Sequence, residues 1–304
     1  RDDVESRGLG DVYKRQAMQK TLIRRETISA YLFLAPALVF FVGFVIVPMV
    51  MCLVTSFFDY SMTEFAFVGF DNYKEMFQDD IFIKALANTV LIVVVAVPTV
   101  TAFSLWVSSV IYKMNGALCS FFRCIFYLPV VTGTVAVTVV WKWMFNKYTG
   151  LFNYVLDSDI SWLGDSRTAI WCIILILFTT SVGQPIVLYV SALGNVDDSL
   201  IEAAQVDGAT SRQVFWKIKW PQIMPTTLYI LVITTINSFQ CYALIQLLTS
   251  GGPNHSTETI MYYIYYQAFK LYRYGYGNAM GVILAIIIAV FSALQFKVAG
   301  KKND

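Results

Sequence analysis

Six long stretches of the sequence carry no charged residue, and they limit the possible folds more than any other feature. The stretches lie between Glu26 and Asp59, Lys84 and Lys113, Arg123 and Lys142, Arg167 and Asp197, Lys219 and Glu258, and Arg273 and Lys297. A helix of about 20 apolar residues crosses about 30 Å of hydrocarbon, so each stretch provides one crossing. The sequence therefore predicts an all-α integral membrane protein, a helical bundle with six transmembrane helices.

Composition supports lipid as the solvent for most of the chain. Of 304 residues, 57% are hydrophobic and 14% are charged, whereas soluble domains carry about 25% charged residues. The net charge of +2 provides no basic field, so no nucleic-acid partner is expected. The single histidine, His255, excludes a multi-histidine metal centre, and no metal site is predicted.

Lysine and arginine counts orient the six crossings. If both termini are cytoplasmic, the cytoplasmic segments hold 15 Lys and Arg against 7 in the outer loops 59–84, 142–168 and 250–277. The positive-inside rule therefore predicts a multi-pass protein with cytoplasmic tails at 1–26 and 299–304 around a membrane domain at 27–298. Residues 1–16 are rich in charge; either they precede a natural start at Met18 and are not native, or they form a short disordered tail.

The predicted helices contain no ionisable side chain away from their ends, which narrows the function classes. Ion-coupled carriers keep such groups at mid-membrane, and membrane-embedded enzymes need intramembrane catalytic groups. A secondary carrier would also show an internal repeat with broken helices in matching positions, and none is visible. No catalytic residue is predicted, and the energy for transport must come from elsewhere.

The segment 192–225, on the predicted cytoplasmic side, is too polar to cross lipid. It predicts a first helix capped by Asp197, Asp198 or Ser199 and ended by Gly208. A second helix would be capped by Thr210 or Ser211 and stopped by prolines before the fifth crossing, at Pro221 and Pro225. Such a hairpin is either a docking surface for another protein or an amphipathic hairpin lying on lipid headgroups.

This segment resembles the EAA loop of ABC importer permeases, whose pattern is EAA, three residues, G, nine residues, I, any, L, P. The match comprises Glu202, Ala203, Ala204, Gly208, Ile218 and Pro221, with Trp220 at the usual leucine and Asp207 before the glycine as in the sugar-importer version. Other elements agree, namely FVGFDNY at 67–73, FFR to YLP at 121–129, WLGD at 162–165 and TSGGP with STET at 249–259. The chain thus resembles a carbohydrate-uptake permease of the maltose and multiple-sugar type, the first of two paired permeases.

The resemblance implies a type I, MetI-like permease in the cytoplasmic (inner) membrane of a bacterium or archaeon. It implies a second permease subunit, a homodimeric cytoplasmic ABC ATPase, an extracytoplasmic solute-binding protein and a sugar substrate. ATP and Mg would belong to the ATPase, because this chain has no glycine-rich phosphate loop and binds no cofactor itself. Glu202 would pair with a basic group of the ATPase, Ala203 and Ala204 would allow close approach, and Gly208 would set the turn.

A sugar pathway needs polar, uncharged groups and aromatic faces. The candidates in the fourth and fifth crossings are Thr179, Gly183, Gln184, Asn237, Phe239, Gln240, Tyr242 and Gln246. Helical spacing predicts that Phe239, Tyr242 and Gln246 share one face and that Asn237 and Gln240 share an adjacent one. The alternative for each residue is hydrogen bonding between helices.

Two further expectations concern the substrate and the last outer loop. A glycerol 3-phosphate importer is the runner-up, and its anionic substrate would favour a cation near the path, for which Lys142 is the nearest candidate. The seven tyrosines between 262 and 276 predict an interfacial aromatic belt and an external amphipathic helix.

Overall fold

The described part of a computed structural model of the chain covers residues 26–300, with side chains for 26–297. The predicted tails lie outside it at 1–25 and 301–304. The described residues form two compact units that divide between Val54 and Thr55. Apart from one short hairpin their regular structure is helical, and the all-α prediction is confirmed.

The elements follow one another in simple order. The helices are α1 Glu26–Thr55, α2 Asp71–Gln78, α3 Asp80–Ile111, α4 Gly116–Val131, α5 Thr134–Met144, α6 Leu151–Leu156, α7 Ala169–Ser181, α8 Gly183–Gly194, α9 Asp198–Val206, α10 Ser211–Val214, α11 Trp220–Phe239, α12 Ala243–Leu248, α13 Ile260–Tyr265 and α14 Tyr274–Gly300. Three π-helical turns are Val42–Ile46 within α1, Phe215–Lys219 between α10 and α11, and Tyr266–Lys270 after α13. Strands β1 Phe58–Tyr60 and β2 Phe65–Phe67 pair antiparallel.

The predicted crossings are helical, but not all are single straight helices. In the described residues α1, α3 and α14 are long and apolar enough to span a membrane unaided. The third crossing is instead the pair α4–α5, bent by 95°, and the fourth is the pair α7–α8, bent by 41°. Each of these two predicted crossings is therefore a bent pair of helices. The fifth predicted crossing corresponds to α11, which has 20 residues and is not among the described helices that are long and apolar enough to span a membrane.

Helix α3 is the centre of the second unit. Its buried residues Phe82, Ala85, Ile92, Ala96 and Val100 recur at helical spacing, so one face enters the core. It packs against α7, α8 and α11. Its serines also stabilise the α7–α8 bend: the Ser104 hydroxyl donates to the Val182 carbonyl at 3.3 Å, and Ser108 donates to the Ile186 carbonyl at 3.1 Å. Pro185 in α8 has no N–H to donate to the Ser181 carbonyl four residues earlier, whereas the Val182 carbonyl also accepts the Ile186 N–H at 3.1 Å.

In the segment 192–225, the two prolines do not end a helix, contrary to the prediction from the sequence. Pro221 and Pro225 lie within helix, and α10, the π turn and α11 run without a break from Ser211 to Phe239. A proline ring clashes with the carbonyl four residues earlier, and for Pro221 that carbonyl belongs to Lys217 in the π turn. The wider turn therefore absorbs the proline. In α1, Pro48 follows the π turn Val42–Ile46 in the same way.

The three predicted outer loops lie together at one end of the second unit. Arg273 pairs with Glu75 at 2.7 Å, and the Ser166 hydroxyl donates to the Pro253 carbonyl at 3.5 Å. Lys84 and Asn88 of α3 bind the loop after α12 through its carbonyls, with Lys84 Nζ 2.5 Å from the Asn254 oxygen. These loops follow the first, third and fifth predicted crossings. If the chain crosses the membrane alternately, they must lie on the same side.

Asp79 organises this end of the bundle. Its carboxylate accepts hydrogen bonds from the backbone N–H groups of Ile81 and Phe82 at the start of α3. It also accepts the hydroxyls of Tyr263 at 2.5 Å and Tyr276 at 2.8 Å. Burial alone would raise the pKa of Asp79, but these hydrogen bonds outweigh it and the pKa is lowered. The belt prediction is wrong for these two tyrosines, which are buried as carboxylate partners.

The contact between α8 and α4 provides a stability test. A β-carbon at Gly183 would meet the Phe126 carbonyl, and it would lie 2.8 Å from a Val130 methyl and 3.0 Å from the Tyr127 Cα. We expect Gly183→Ala to destabilise the protein by about 1–3 kcal/mol through overpacking. The measurement is the midpoint of thermal unfolding in detergent.

Gly194→Ala is the matched control, because a β-carbon there has no atom within 4 Å. Alanine is the better helix former, so this variant should be unchanged or slightly more stable. Equal midpoints for the two variants would contradict the close α4–α8 contact.

Candidate functional site

The coupling segment, residues 192–225, contains α9, whose ends are fixed as the sequence predicts. Of the three candidate caps the structure uses Asp197, whose carboxylate accepts the Ser199 N–H at 2.9 Å; that bond lowers its pKa. Gly208 has φ +79°, a left-handed conformation that glycine adopts without strain, and the prediction for it is confirmed. The Ala209 N–H reaches back to the Ala204 carbonyl at 2.9 Å and closes the helix.

Helix α10 starts with a capping box. The Thr210 hydroxyl accepts the Gln213 N–H while the Gln213 side chain accepts the Thr210 N–H at 2.8 Å. Because α10 continues through the π turn into α11, the coupling segment is directly joined to the fifth crossing. A displacement of α10 is therefore transmitted to α11 without an intervening loop.

One face of the coupling segment is packed and the other is free. Ile201, Ile218 and Trp220 lie against a cluster that contains Tyr189, Leu193, Val196, Ile223 and Ile230. The buried Lys219 donates to the Tyr112 hydroxyl just after α3, with its ammonium 4.8 Å from the Tyr112 ring centre. Sequence analysis missed this contact, which joins residues 107 positions apart and leaves no local pattern.

The motif residues other than Ile218 lie on the free face. Glu202, Ala203, Asp207, Gly208 and Pro221 are exposed, and Ala204 and Ile218 are partly buried. Within the described residues Glu202 has no hydrogen-bond or ion-pair partner. An unpaired carboxylate beside two small side chains can accept a basic group from outside the chain at close range.

Three cavities border the broken crossings. One, of about 540 Å³, lies between α4 and α8 and is lined by Ser120, Arg123, Cys124, Tyr127, Gln184, Val187 and Leu188. The other two lie at the helix breaks. The Asn237 cavity, of about 140 Å³, is lined by Val130, Thr180, Ser181, Gln184, Pro185, Leu188, Tyr229, Ile230, Ile233, Thr234 and Asn237. The Gln240 cavity, of about 270 Å³, is lined by Pro129, Val130, Thr132, Thr134, Val137, Leu177, Thr180, Gln240, Cys241, Tyr242, Ala243 and Leu244. Val130 and Thr180 line both, so the two cavities are neighbours.

Helix breaks explain why polar groups collect here. The third crossing breaks at Thr132–Gly133, the fourth bends at Val182, and the fifth ends at Phe239 before α12 begins at Ala243. A break frees backbone N–H and C=O groups, which lipid cannot satisfy, so broken backbone belongs beside a polar cavity.

The structure brings together four of the eight predicted pathway residues. Gln184 and Asn237 line one cavity, and Gln240 and Tyr242 line the other. The predicted sharing of faces along the fifth crossing is wrong, because the helix stops at Phe239 and periodicity cannot be extended past it.

The other four lie elsewhere. Phe239 is fully buried against Phe291, and Gly183 packs against α4. The Thr179 hydroxyl donates to the Ile176 carbonyl of its own helix at 2.9 Å. Gln246 lines neither cavity, and its side-chain oxygen is buried without a hydrogen-bond partner among the described residues.

Sequence analysis missed Thr132, Thr134, Ser181, Tyr229 and Thr234 as lining residues. Scattered threonines are ordinary in membrane helices, so only the position of each break identifies them.

Comparison with known proteins places this architecture in a family. Residues 81–299 match the family model described as "Binding-protein-dependent transport system inner membrane component". The chain is 33% identical over 285 residues to the probable ABC transporter permease protein YurN of Bacillus subtilis (strain 168), covering 91% of this chain and 97% of that protein. It is 31% identical to the multiple sugar-binding transport system permease protein MsmF of Streptococcus mutans, covering 85% and 94%.

A solved structure has the same fold. A chain of a bacterial alginate ABC transporter, crystallised in complex with an alginate pentasaccharide-bound periplasmic protein, superimposes with a TM-score of 0.80 at 23% identity, covering 90% of this chain and 95% of that one. Taken together, the match over residues 81–299 and the similarity along nearly the whole of YurN mean that this chain belongs to the permease subunits of binding-protein-dependent ABC transporters.

Proposed function

We propose that this chain forms half of the translocation pathway of an ATP-driven importer for a neutral sugar or oligosaccharide. The observation that carries the proposal is the chemistry of the Asn237 and Gln240 cavities, whose linings contain no Asp, Glu, Lys, Arg or His. Amide, hydroxyl and aromatic groups match the hydroxyls and C–H faces of sugars. Relatives are named for multiple sugars, diacetylchitobiose and lactose.

The cavity chemistry argues against the alternative substrate class, glycerol 3-phosphate. An anionic substrate would lose hydration on entering the Asn237 and Gln240 cavities, whose linings hold no cation to replace it. Lys142, the candidate cation, is exposed in the last turn of α5 and lines neither cavity. A neutral substrate needs no such compensation.

The coupling segment is proposed to dock on a cytoplasmic ABC ATPase through Glu202, Ala203, Ala204, Asp207 and Gly208. The ATPase would hold ATP and Mg, and its closure would move α9 and α10. The continuous helix from α10 into α11 would carry that movement to Gln240 at the far end of α11. In this proposal the coupling segment acts as a rigid lever on a helical bundle that has two conformations. Allosteric coupling requires such a two-state element.

The proposed assembly also contains a second permease, a second copy of the ATPase and an extracytoplasmic solute-binding protein. Both termini and the coupling segment are proposed to be cytoplasmic, as the excess of Lys and Arg on those segments favours. The loops tied together through Arg273, Glu75 and Asn88 would then face outward, towards the solute-binding protein.

The overall proposal is tested by reconstitution. The chain is purified with its genomic neighbours from gently solubilised membranes, the co-purifying subunits are identified by mass spectrometry, and ATP-dependent uptake of labelled sugars into proteoliposomes is measured. We expect an ATPase, a second permease and uptake of a neutral sugar that requires the binding protein. Uptake of glycerol 3-phosphate alone, or recovery of the chain alone, would contradict the proposal.

Charge reversal in the coupling segment is the first variant. Glu202→Lys would place two cations together at the proposed interface, so sugar uptake should fall by about tenfold or more while the chain still reaches the membrane. Gly208→Pro should have the same effect, because proline cannot adopt φ +79° and removes the N–H that binds the Gln205 carbonyl.

Glu26→Lys is the matched control for charge. It makes the same change in net charge at an exposed residue at the start of α1, outside the coupling segment and the predicted outer loops. Its uptake should equal that of the unaltered protein. Full uptake by Glu202→Lys would remove the docking role of the coupling segment.

Loss of an amide from the Gln240 cavity is the second variant. Gln240→Leu removes a hydrogen-bonding group that faces the cavity, and one hydrogen bond contributes about 0.5–1.5 kcal/mol. The sugar concentration for half-maximal stimulation of ATP hydrolysis should therefore rise by about three- to tenfold. Gln222→Leu, an exposed residue near the start of α11 outside both cavities, should leave it unchanged. Identical curves for the two variants would count against the Gln240 cavity as a sugar site.

A further inference from the structure

Another pocket lies outside the broken crossings, in the loop that joins the third crossing to the fourth. It spans residues 143–159 and has a volume of about 510 Å³, within the usual range for small-molecule sites. Trp143, Tyr148 and Tyr154 line it, together with Lys147, Asp157 and Asp159. None of these residues belongs to the motifs or to the cavities already described.

The aromatic side chains of this pocket are unusually open to solvent. Tyr148 and Tyr154 are each 85% exposed and Trp143 is 56% exposed. In the described residues Trp143 and Tyr154 make no ring-to-ring contact. Aromatic rings that the rest of the described chain leaves uncovered are available to contact a ligand.

The pocket is nevertheless held rigidly, because the buried Asn153 joins its two walls. Asn153 Nδ2 donates to the carbonyls of Lys147 at 2.9 Å and Ile160 at 2.8 Å. Asn153 Oδ1 accepts the Ser158 hydroxyl at 3.1 Å and the Trp162 indole N–H at 2.7 Å. All four hydrogen-bonding positions of the amide are used, so Asn153 acts as a fixed brace.

A packed base lies beneath the brace. Phe145 is buried among Trp141, Phe152 and Trp162, with ring centres 5.0–6.2 Å from its own. Gly150 also fits tightly, because a β-carbon there would lie 2.6 Å from the Met144 carbonyl oxygen. A pocket that is preformed in this way loses little entropy when it binds a ligand.

The free polar groups indicate the class of ligand. The carboxylates of Asp157 and Asp159 have no hydrogen-bond or ion-pair partner among the described residues. The Lys147 ammonium lies 5.6 Å from the Tyr148 ring centre. Carboxylates accept hydrogen bonds from hydroxyls, and tyrosine and tryptophan faces pack against C–H groups. Two carboxylates against one ammonium disfavour an anionic ligand. This combination fits a neutral sugar.

We infer that this pocket is an entrance subsite that binds a neutral oligosaccharide before it enters the pathway. The inference rests on the proposed import function and on the outward placement of this loop. Helix α5 links the two places: Thr134 at its start lines the Gln240 cavity, and Trp143 near its end lines the pocket. At 1.5 Å per residue these positions are about 14 Å apart along the helix.

The test measures sugar binding in the absence of the solute-binding protein. The full chain with its partner permease is placed in nanodiscs, and saturation-transfer NMR is recorded with lactose, diacetylchitobiose, maltotriose and arabinotriose, and with glycerol 3-phosphate as the anionic probe. We expect binding of at least one neutral sugar and none of the anion. Tyr154→Ala should weaken sugar binding by about three- to tenfold, the effect of one aromatic contact.

Two variants control the result. Tyr154→Phe keeps the ring and should retain most of the affinity. Leu156→Ala removes an exposed apolar side chain from the same helix, α6, outside the pocket, and should change nothing. Failure of all four sugars to bind, or equal affinity in Tyr154→Ala and the unaltered protein, would overturn the inference.

Other outcomes separate this inference from the proposed function. Sugar binding that disappears in Gln240→Leu but persists in Tyr154→Ala would assign it to the pathway alone, overturning the entrance subsite and leaving the import function intact. If Tyr154→Ala weakens the association of sugar-free binding protein but not of oligosaccharide, the pocket is a protein contact and the inference fails. The absence of any sugar uptake by the reconstituted importer would instead refute the import function.

Discussion

The need to satisfy every backbone hydrogen-bonding group away from water governs this structure. In lipid a freed N–H or C=O group has no solvent partner, so a helix can break only where protein or a polar cavity replaces water. The breaks at Thr132–Gly133 and Gln240–Tyr242 border the Gln240 cavity, and the bend at Val182 borders the Asn237 cavity. At that bend, Ser104 donates from α3 to the Val182 carbonyl. The pathway proposed for sugar thus lies where the crossings are interrupted.

The same constraint explains why the coupling segment and the fifth crossing form one unit. A break at Pro221 would free backbone groups at the membrane boundary, whereas the π turn before it keeps the helix continuous. From Ser211 to Phe239 this continuous helix is about 40 Å long. Lys219, buried on Tyr112, fixes it to the end of α3. A movement at one end is therefore delivered to Gln240 at the other.

Structural features that depend only on neighbouring residues could be predicted from the sequence. The cap at Asp197, the left-handed Gly208 and the Thr210 cap each rest on a few adjacent positions, and each is confirmed. The errors arise where distant residues decide. Helical periodicity places Gln246 wrongly because the helix breaks after Phe239, and Phe239 itself is buried against the distant Phe291. Tyr263 and Tyr276 bind Asp79, which lies 184 and 197 positions away, instead of joining a belt. The amide network of Asn153 leaves no periodic signal either.

The distribution of charge separates two stages of transport. At the proposed entrance the ligand is still hydrated, and the exposed Asp157 and Asp159 side chains need no compensating partner there. Further in, the linings of the Asn237 and Gln240 cavities contain only neutral groups, so each sugar hydroxyl that leaves water exchanges one neutral hydrogen bond for another at a small net free energy. A charged ligand would lose far more hydration than these amides and hydroxyls return. If the Asn237 and Gln240 cavities form the pathway, as proposed, their neutral linings would select against anions before any specific contact distinguishes one sugar from another.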